Sequence, residues 1–281
     1  MKFTKMHGLG NDFILVEASA GGPRLTSSRF ARAVCDRHQG IGADGLVVVS
    51  RSDKADCRMT IINSDGTEAQ SCGNALRCVA HFAHQRSYGS GKTLSIETLA
   101  GIQVAHIMSP GEYSSVVQVD MGHPLLAPAD FPATVAGPGP ILAQEVATDY
   151  GTYRVALIRV GVPHAIIFVD ELTSVDLVRE GRALERHPVF IDGANVNFVQ
   201  QVGENHFAVR IWERGAGETM ACGTGACAVA VAAILLGKAG NDIRIALPGG
   251  DLSITWVPGE GIHMLGPAVE VFSGEYRAEG D

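Results

Sequence analysis

The chain has 281 residues, of which 46% are hydrophobic and 19% charged, a composition typical of a globular protein with a buried core. A net charge of −8 without any run of Lys or Arg argues against binding to nucleic acid or another polyanion. The longest apolar run, 226–236, is too short to cross a bilayer. The N-terminus lacks the apolar segment of a signal peptide, and we expect a cytoplasmic protein.

Short runs rich in Val, Ile and Phe predict many strands, and four segments between them predict helices. In chain order, the first half is predicted to contain strands at 13–17, 46–49, 58–63, 95–97 and 116–119, and helices at 27–37 and 74–85. The second half is predicted to contain strands at 166–169, 196–200, 208–213, 243–246 and 252–256, and helices at 174–185 and 224–237.

The two halves resemble each other. The segment EAQSCGN (68–74) matches ETMACGT (218–224), so that the pattern E-x-x-x-C-G occurs once at Cys72 and again at Cys222. MTIINSDGTE (59–68) aligns with VRIWERGAGE (209–218) at the same spacing of 218 − 68 = 150 residues. A domain-sized repeat of this kind indicates an internal duplication.

Many short strands with few helices predict an α+β fold. We expect two pseudo-symmetric domains, each a mixed or antiparallel sheet wrapped around a central helix, with the active site in the cleft between them. The predicted boundaries are 1–122 for the Cys72 half and 123–268 for the Cys222 half. The segment 269–281 is predicted to return to the first domain, and the Pro- and Gly-rich stretch 122–140 is predicted to hold the linker.

Two of the six cysteines stand out. Cys72 and Cys222 each precede a glycine at a predicted helix start, where unpaired N–H groups favour a thiolate and can bind a carboxylate. Cys35, Cys57, Cys78 and Cys227 are interpreted as core residues, since a lone cysteine usually packs as a small hydrophobic side chain. The pattern C-x-x-H-x-x-H at Cys78, His81 and His84 is interpreted as three ordinary helix residues rather than as a metal site.

Matched thiols in two similar domains suit a two-base amino acid racemase. One thiolate would remove the α-proton, and the opposing thiol would protonate the other face. Two helix N-termini would stabilise the negative charge that develops. This chemistry needs no metal and no pyridoxal cofactor.

Several longer segments carry a family resemblance. They are KMHGLGNDF (5–13), GIGADGL (40–46), NSDGTEAQSCGNALRC (63–78), GANVNF (193–198), ERGAGETMACGTGACA (213–228) and LPGG (247–250). In this order, and over the full length, the chain resembles the diaminopimelate epimerase family.

The resemblance implies an epimerase, without cofactor, that interconverts LL- and meso-2,6-diaminopimelate for lysine and peptidoglycan synthesis. It implies a homodimer, with no nucleic-acid or membrane partner. Cys72 and Cys222 would be the proton donor and acceptor. The resemblance implies that substrate is bound by Asn11, Asn63, Gly73, Asn74, Asn195, Glu213, Arg214, Gly223 and Thr224.

One position departs from the family pattern. Val162, in GVPH (161–164), replaces an asparagine expected to touch the distal end of the substrate. Recognition of a polar end depends on paired polar groups, so a related racemase acting on another amino acid, such as histidine, is the alternative. A redox-sensing protein that forms a reversible disulfide is the third reading, which a requirement for reductant would test.

Overall fold

The computed structural model describes residues 1–18, 25–135, 137 and 139–277. The chain divides into two compact units. Unit 1 comprises Met1–Asp120 and Leu265–Asp281, and unit 2 comprises Met121–Met264. Within the described ranges, no helix combines the length and the apolar composition needed to cross a membrane.

Unit 1 is built mainly from strands. Its elements are β1 (Lys2–Gly8), β2 (Asn11–Glu17), α1 (Ser28–Cys35), β3 (Gly45–Ser50), β4 (Cys57–Asn63), β5 (Glu68–Ala69), α2 (Gly73–Gln85), β6 (Thr93–Thr98), β7 (Gly101–Ser109), β8 (Ser114–Asp120) and most of β17 (His263–Glu275). The pairing is mixed: β2 with β3 and β4 with β6 are parallel, and the other neighbours with a described register are antiparallel. Because β17 pairs with both β8 and β1, these strands form an unbroken ring.

Unit 2 repeats this plan. Its elements are β9 (Gln144–Thr148), β10 (Gly151–Val160), β11 (Val162–Phe168), α3 (Arg182–Glu185), β12 (Asn195–Gly203), β13 (His206–Glu213), β14 (Gly217–Thr219), α4 (Gly223–Leu235), β15 (Asp242–Leu247) and β16 (Gly250–Thr255). Short 3-10 turns occupy Pro128–Asp130 and Leu172–Ser174, and a π-helical turn occupies Leu177–Gly181.

Strand pairing shows that the two units share one topology. The parallel pairs β2–β3 and β4–β6 correspond to the parallel pairs β11–β12 and β13–β15. The register corresponds as well, since Phe13 faces Gly45 and His164 faces Asn195. The helices α2 and α4 both have 13 residues and begin 150 residues apart, at Gly73 and Gly223 (223 − 73 = 150). This agreement confirms the predicted α+β fold with a repeated unit.

One long helix occupies the core of each unit. Helix α2 packs against β1, β7 and β8, and α4 packs against β10, β11 and β16. Helix α4 is buried from Gly223 to Ala233 except at Thr224, and its apolar residues surround the whole helix, as expected for a helix enclosed by sheet.

Some predicted elements were wrong or incomplete. The segment 174–185, predicted as one helix, consists of the end of a 3-10 turn, the π-helical turn and four α-helical residues. Gly181 lies in this segment, where a Cβ would be 2.8 Å from Trp212 Cβ, so close packing against β13 shapes the turn. Strands β1, β5, β7, β9, β10, β14 and β17 were not predicted.

Candidate active site

The first candidate centre is the start of α2. Cys72 is the N-cap residue, with extended backbone angles of φ −150° and ψ 119°. Its carbonyl accepts the first helical bond from Leu76 N–H at 2.8 Å. The N–H groups of Gly73 and Asn74 therefore lie in the first turn, where a helix has no internal acceptors for them. Cys72 is partly exposed.

A pair of hydrogen-bonded amide side chains lies beside Cys72. Cys72 Sγ lies 3.8 Å from Asn11 Oδ1, which also accepts a bond from Asn74 Nδ2 at 3.1 Å. Asn11 donates through Nδ2 to Asp44 Oδ2 at 2.8 Å. The structure thus brings together three of the predicted site residues, Cys72, Asn11 and Asn74.

Ion pairs hold the start of β2, which carries Asn11. Lys5 and Arg37 both contact the carboxylate of Asp12, with Lys5 Nζ 2.6 Å from Oδ2 and Arg37 Nη2 2.8 Å from Oδ1. Burial opposes ionisation of Asp12, but hydrogen bonds from Arg37 and Lys5 outweigh it and hold the pKa of this carboxyl below its usual range. Arg37 also bridges to Asp44 at 2.8 Å, which connects the start of β2 to the residue before β3.

Asn63 ends β4 at a tight turn. Its Nδ2 donates to Thr67 Oγ1 at 3.0 Å, and its backbone N–H donates to Thr67 O at 2.8 Å. The turn therefore places Asn63 at the end of its strand, where it pairs with Gly45 at the start of β3.

The second candidate centre is the start of α4. Cys222 is the N-cap residue, with φ −127° and ψ 110°, and Ala226 N–H donates to its carbonyl at 3.0 Å. Cys222 Sγ lies 3.4 Å from Thr224 Oγ1. Gly223 and Thr224 occupy the first turn, as Gly73 and Asn74 do in α2.

Two buried polar residues form a chain of contacts that ends at Thr224. His164, on β11, contacts Thr224 Oγ1 through Nε2 at 3.1 Å, and its Nδ1 lies 3.3 Å from Asn197 Nδ2 on β12. Asn197 Nδ2 also donates to the carbonyl oxygens of Ala165 and Asn195. Burial lowers the pKa of His164 to about 3, so the imidazole is neutral.

The Cys222 thiol holds its proton in this structure. Burial is the largest influence and, together with the negative charge of Glu213, raises the pKa of Cys222 well above its usual value. The Thr224 hydroxyl and the Gly225 N–H act in the opposite direction, because they donate toward the sulfur. The pKa of Cys222 is therefore sensitive to what neutralises Glu213.

Glu213 ends β13, and Arg214 begins the loop between β13 and β14. Thr219 Oγ1 donates to Glu213 Oε1 at 2.6 Å. Arg214 N–H donates to Asn195 Oδ1 at 2.8 Å, and its guanidinium donates to Asp192 O at 2.7 Å. Asn195 thus supports the loop in addition to any contact with a ligand.

Some residues of the two centres were not singled out in the sequence. They are Asp44, Arg77, His164, Glu185, Asn197 and Trp212. Glu185 accepts bonds from Trp212 Nε1 at 2.7 Å and from Gly215 N–H at 3.1 Å, and so anchors the loop of Glu213 and Arg214. His164 and Asn197 lie within the family segments GVPH and GANVNF, which were the available signal.

Glycine at 225 is required by packing. A Cβ there would lie 2.7 Å from Asn197 Oδ1 and 3.1 Å from Ile211 Cδ1. The equivalent residue in the first repeat is Ala75, and the residue equivalent to Asn197 is the apolar Val47. The buried amide therefore explains why the second motif reads C-G-T-G.

The remaining cysteines are buried. Burial raises the pKa of Cys35 to about 11 and the pKa values of Cys57 and Cys78 to about 12. Cys227 is also buried, in the middle of α4. These four thiols stay protonated or enclosed, in keeping with their interpretation as core residues.

Comparison with known proteins gives one consistent result. A family model described as diaminopimelate epimerase matches residues 3–126 and 156–271. A diaminopimelate epimerase of Pelotomaculum thermopropionicum is 44% identical over 98% of this chain and 99% of its own length. One from Carboxydothermus hydrogenoformans is 45% identical over the same shares.

Solved structures share the fold at low sequence identity. A phenazine biosynthesis protein of the PhzF family from Bacillus anthracis superposes with a TM-score of 0.73, at 17% identity over 99% of both chains. A hydroxyproline epimerase from Agrobacterium vitis superposes with a TM-score of 0.68, at 17% identity over 98% of this chain and 91% of that one.

Proposed function

This chain belongs to the diaminopimelate epimerase family and is an isomerase, and we propose that it inverts the α-carbon of its substrate with Cys72 and Cys222 as paired bases. One sulfur removes the α-proton as a thiolate. The other sulfur, as a thiol, returns a proton to the opposite face. For the reverse direction the two cysteines exchange roles.

The observation that carries this proposal is the matched setting of the two thiols. Each caps a 13-residue helix and is followed by glycine. The N–H groups of Gly73, Asn74, Gly223 and Thr224 are suited to the α-carboxylate, because a helix N-terminus favours negative charge. Stabilising that carboxylate, and the charge that develops beside it, lowers the barrier to removing a weakly acidic proton.

The setting of Cys222 supports its role as proton donor in the resting enzyme. Its burial and the nearby Glu213 keep it protonated. A substrate ammonium beside Glu213 would neutralise that carboxylate and remove one influence that raises the pKa of Cys222. Substrate binding would then prepare the same sulfur for its other role as a base.

The distal end of the substrate carries an ammonium and a carboxylate. Glu213 suits the ammonium, and the guanidinium of Arg214 suits a carboxylate because its planar fork can bind two oxygens. Asn63, Asn195 and Asn11 supply amides. We propose these residues as the source of substrate specificity, in a cytoplasmic homodimer without metal or cofactor.

A second substrate is favoured by one observation. Val162 begins β11 two residues before His164 and is 37% exposed. An apolar side chain there offers no hydrogen bond to a polar ligand, so an amino acid such as histidine is the alternative substrate.

Proton NMR in deuterium oxide separates these readings. Reduced protein is mixed with LL-diaminopimelate, without pyridoxal phosphate, and histidine is tested in parallel. We expect loss of the α-proton signal and formation of the meso isomer with diaminopimelate alone. Exchange only with histidine would transfer the two-thiol chemistry to the second substrate, and exchange with neither would refute the mechanism.

A further inference from the structure

Arg77 is a fully buried cation on α2, five residues after Cys72. Its Nη2 donates to Asn74 Oδ1 at 2.8 Å, and its Nε donates to Pro267 O at 3.0 Å. Its Nη1 lies 3.4 Å from Gly73 O. The guanidinium therefore contacts both residues that follow Cys72.

The chemistry of Arg77 fixes the direction of the bonds around the thiol. A guanidinium can only donate, so the oxygen of the Asn74 amide faces Arg77 and the nitrogen faces Asn11 Oδ1. At the other end, the Asp44 carboxylate can only accept, so Asn11 turns its nitrogen to Asp44. The Asn11 oxygen is left facing Cys72 Sγ.

The second repeat has no equivalent of this cation. Residue 227, which corresponds to residue 77 at the 150-residue spacing, is a buried cysteine, and Thr224 takes the place of Asn74. The fold common to both units thus does not require an arginine here. Arg77 belongs to the particular arrangement at Cys72.

The surrounding chain is shaped to fit Arg77. Gly8, at the end of β1, has no room for a side chain, because a Cβ there would lie 2.8 Å from Arg77 Nη2 and 3.4 Å from Asn74 Cβ. A buried cation that is hydrogen-bonded on several sides holds its neighbours in one arrangement.

We propose that Arg77 is a positioning residue for Cys72. It sets the orientation of Asn74, and through Asn74 that of Asn11, and it places a positive charge below the helix turn that carries the thiol. The proposal rests on the proposed function of Cys72 as a base. It adds that the two thiols are controlled differently, Cys72 by a buried cation and Cys222 by neutral His164.

A double-mutant cycle in the full-length protein tests this proposal. The variants are Arg77→Met, Asn74→Ala and their combination, with kcat and KM measured for diaminopimelate. We expect Arg77→Met to lower kcat about tenfold or more, since hydrogen bonds to charged groups are strong. In the Asn74→Ala background the loss of kcat should be clearly smaller, because the part that Asn74 transmits is already absent and only the effect of the positive charge remains.

A second measurement does not depend on epimerase activity. The rate at which iodoacetamide alkylates Cys72 near neutral pH, located by mass spectrometry, should fall in Arg77→Met, because removing a nearby cation disfavours the thiolate. Arg77→Lys should retain the alkylation rate but still lower kcat, because it keeps the charge and loses the fork. Arg77→Lys also keeps the proposal testable if Arg77→Met does not fold.

The control is Arg86→Met, at the residue that directly follows the same helix. Arg86 stacks on Phe82 and donates to Thr4 Oγ1, so it tests the loss of an arginine at the other end of the helix from the thiol. Multiplied effects in the double variant, or equal effects of Arg77→Met and Arg86→Met on kcat and Cys72 alkylation, would overturn the proposal. An inactive wild type with the alkylation difference intact would refute the two-base function and leave the positioning role standing.

Discussion

His164 Nε2 lies 3.1 Å from Thr224 Oγ1, and this contact sets the direction of the Thr224 hydroxyl proton. Asn197 Nδ2, which is oriented by contacts with the carbonyl oxygens of Ala165 and Asn195, can only donate, so His164 Nδ1 is the acceptor in their 3.3 Å contact. The proton of the neutral imidazole is then on Nε2 and is donated to Thr224. Thr224 is left to donate its own proton toward Cys222 Sγ.

Replacing His164 by glutamine should impair catalysis more than folding. Without the fixed imidazole donor, the Thr224 hydroxyl is free to rotate away from Cys222. A hydrogen bond to a thiolate contributes about 1.5–3 kcal/mol, so kcat should fall about tenfold or more. The matched control is His81→Gln, since His81 is also fully buried but bonds to Ser115 on β8. Equal losses of kcat in the two variants would contradict the assignment.

His164 should also make stability depend on pH. Its pKa is lowered by burial to about 3, against an ordinary value of 6.5, so the unfolded chain binds a proton that the folded chain does not. Its contribution to stability is present above about pH 6.5 and is lost as the pH falls toward 3. As the pH is lowered from about 6.5 to 3, each pH unit should therefore reduce the free energy of unfolding of the wild type by about 1.4 kcal/mol more than that of His164→Gln. The free energy of unfolding is measured by urea denaturation at several pH values. An equal dependence on pH in the two proteins would contradict this.

Replacing Glu213 by glutamine should free the Cys222 thiolate while impairing turnover. The negative charge that helps to raise the pKa of Cys222 is removed, so the pKa of Cys222 should fall and its alkylation near neutral pH should accelerate. The proposed partner of the substrate ammonium is lost as well, so KM should rise. Glu218→Gln is the control, because Glu218 lies on β14 and its carboxylate accepts from Arg210. Unchanged alkylation of Cys222 would show that Glu213 does not act on the sulfur.

Gly225→Ala should destabilise unit 2 by about 1–3 kcal/mol, as expected for overpacking in a closed core. The new methyl group would meet Asn197 Oδ1. Combining it with Asn197→Ala should cost less than the sum of the two single changes, because the clash is removed. Additive losses in urea denaturation would place the strain elsewhere.

The sequence predicted the parts of the fold that have local signals. The Cys-Gly pairs marked the starts of α2 and α4, and the repeat predicted the shared topology. Strand β1 was missed because it buries Thr4 and Lys5 among its apolar residues, which breaks the expected alternation. The predicted helix at 174–185 failed because Gly181 is fitted to Trp212, which is distant in sequence.

The thiol positions could be predicted, but not their surroundings. His164 and Asn197 are 33 residues apart and meet only because β11 and β12 pair in parallel with a particular register. Arg77 and Asn74 are one helical turn apart. Many surface arginines have the same spacing from a polar residue, so the spacing alone does not predict a buried contact. Its full burial against Pro267 depends on the returning strand β17.

The most direct test of the central claim is α-proton exchange by the two single-cysteine variants. Cys72→Ala and Cys222→Ala are each incubated with LL- and with meso-diaminopimelate in deuterium oxide and followed by proton NMR, with Cys227→Ala as the control for loss of a buried thiol. We expect both variants to fold and neither to interconvert the isomers, while Cys227→Ala remains active. Near-normal epimerisation by either Cys72→Ala or Cys222→Ala would contradict the two-base mechanism.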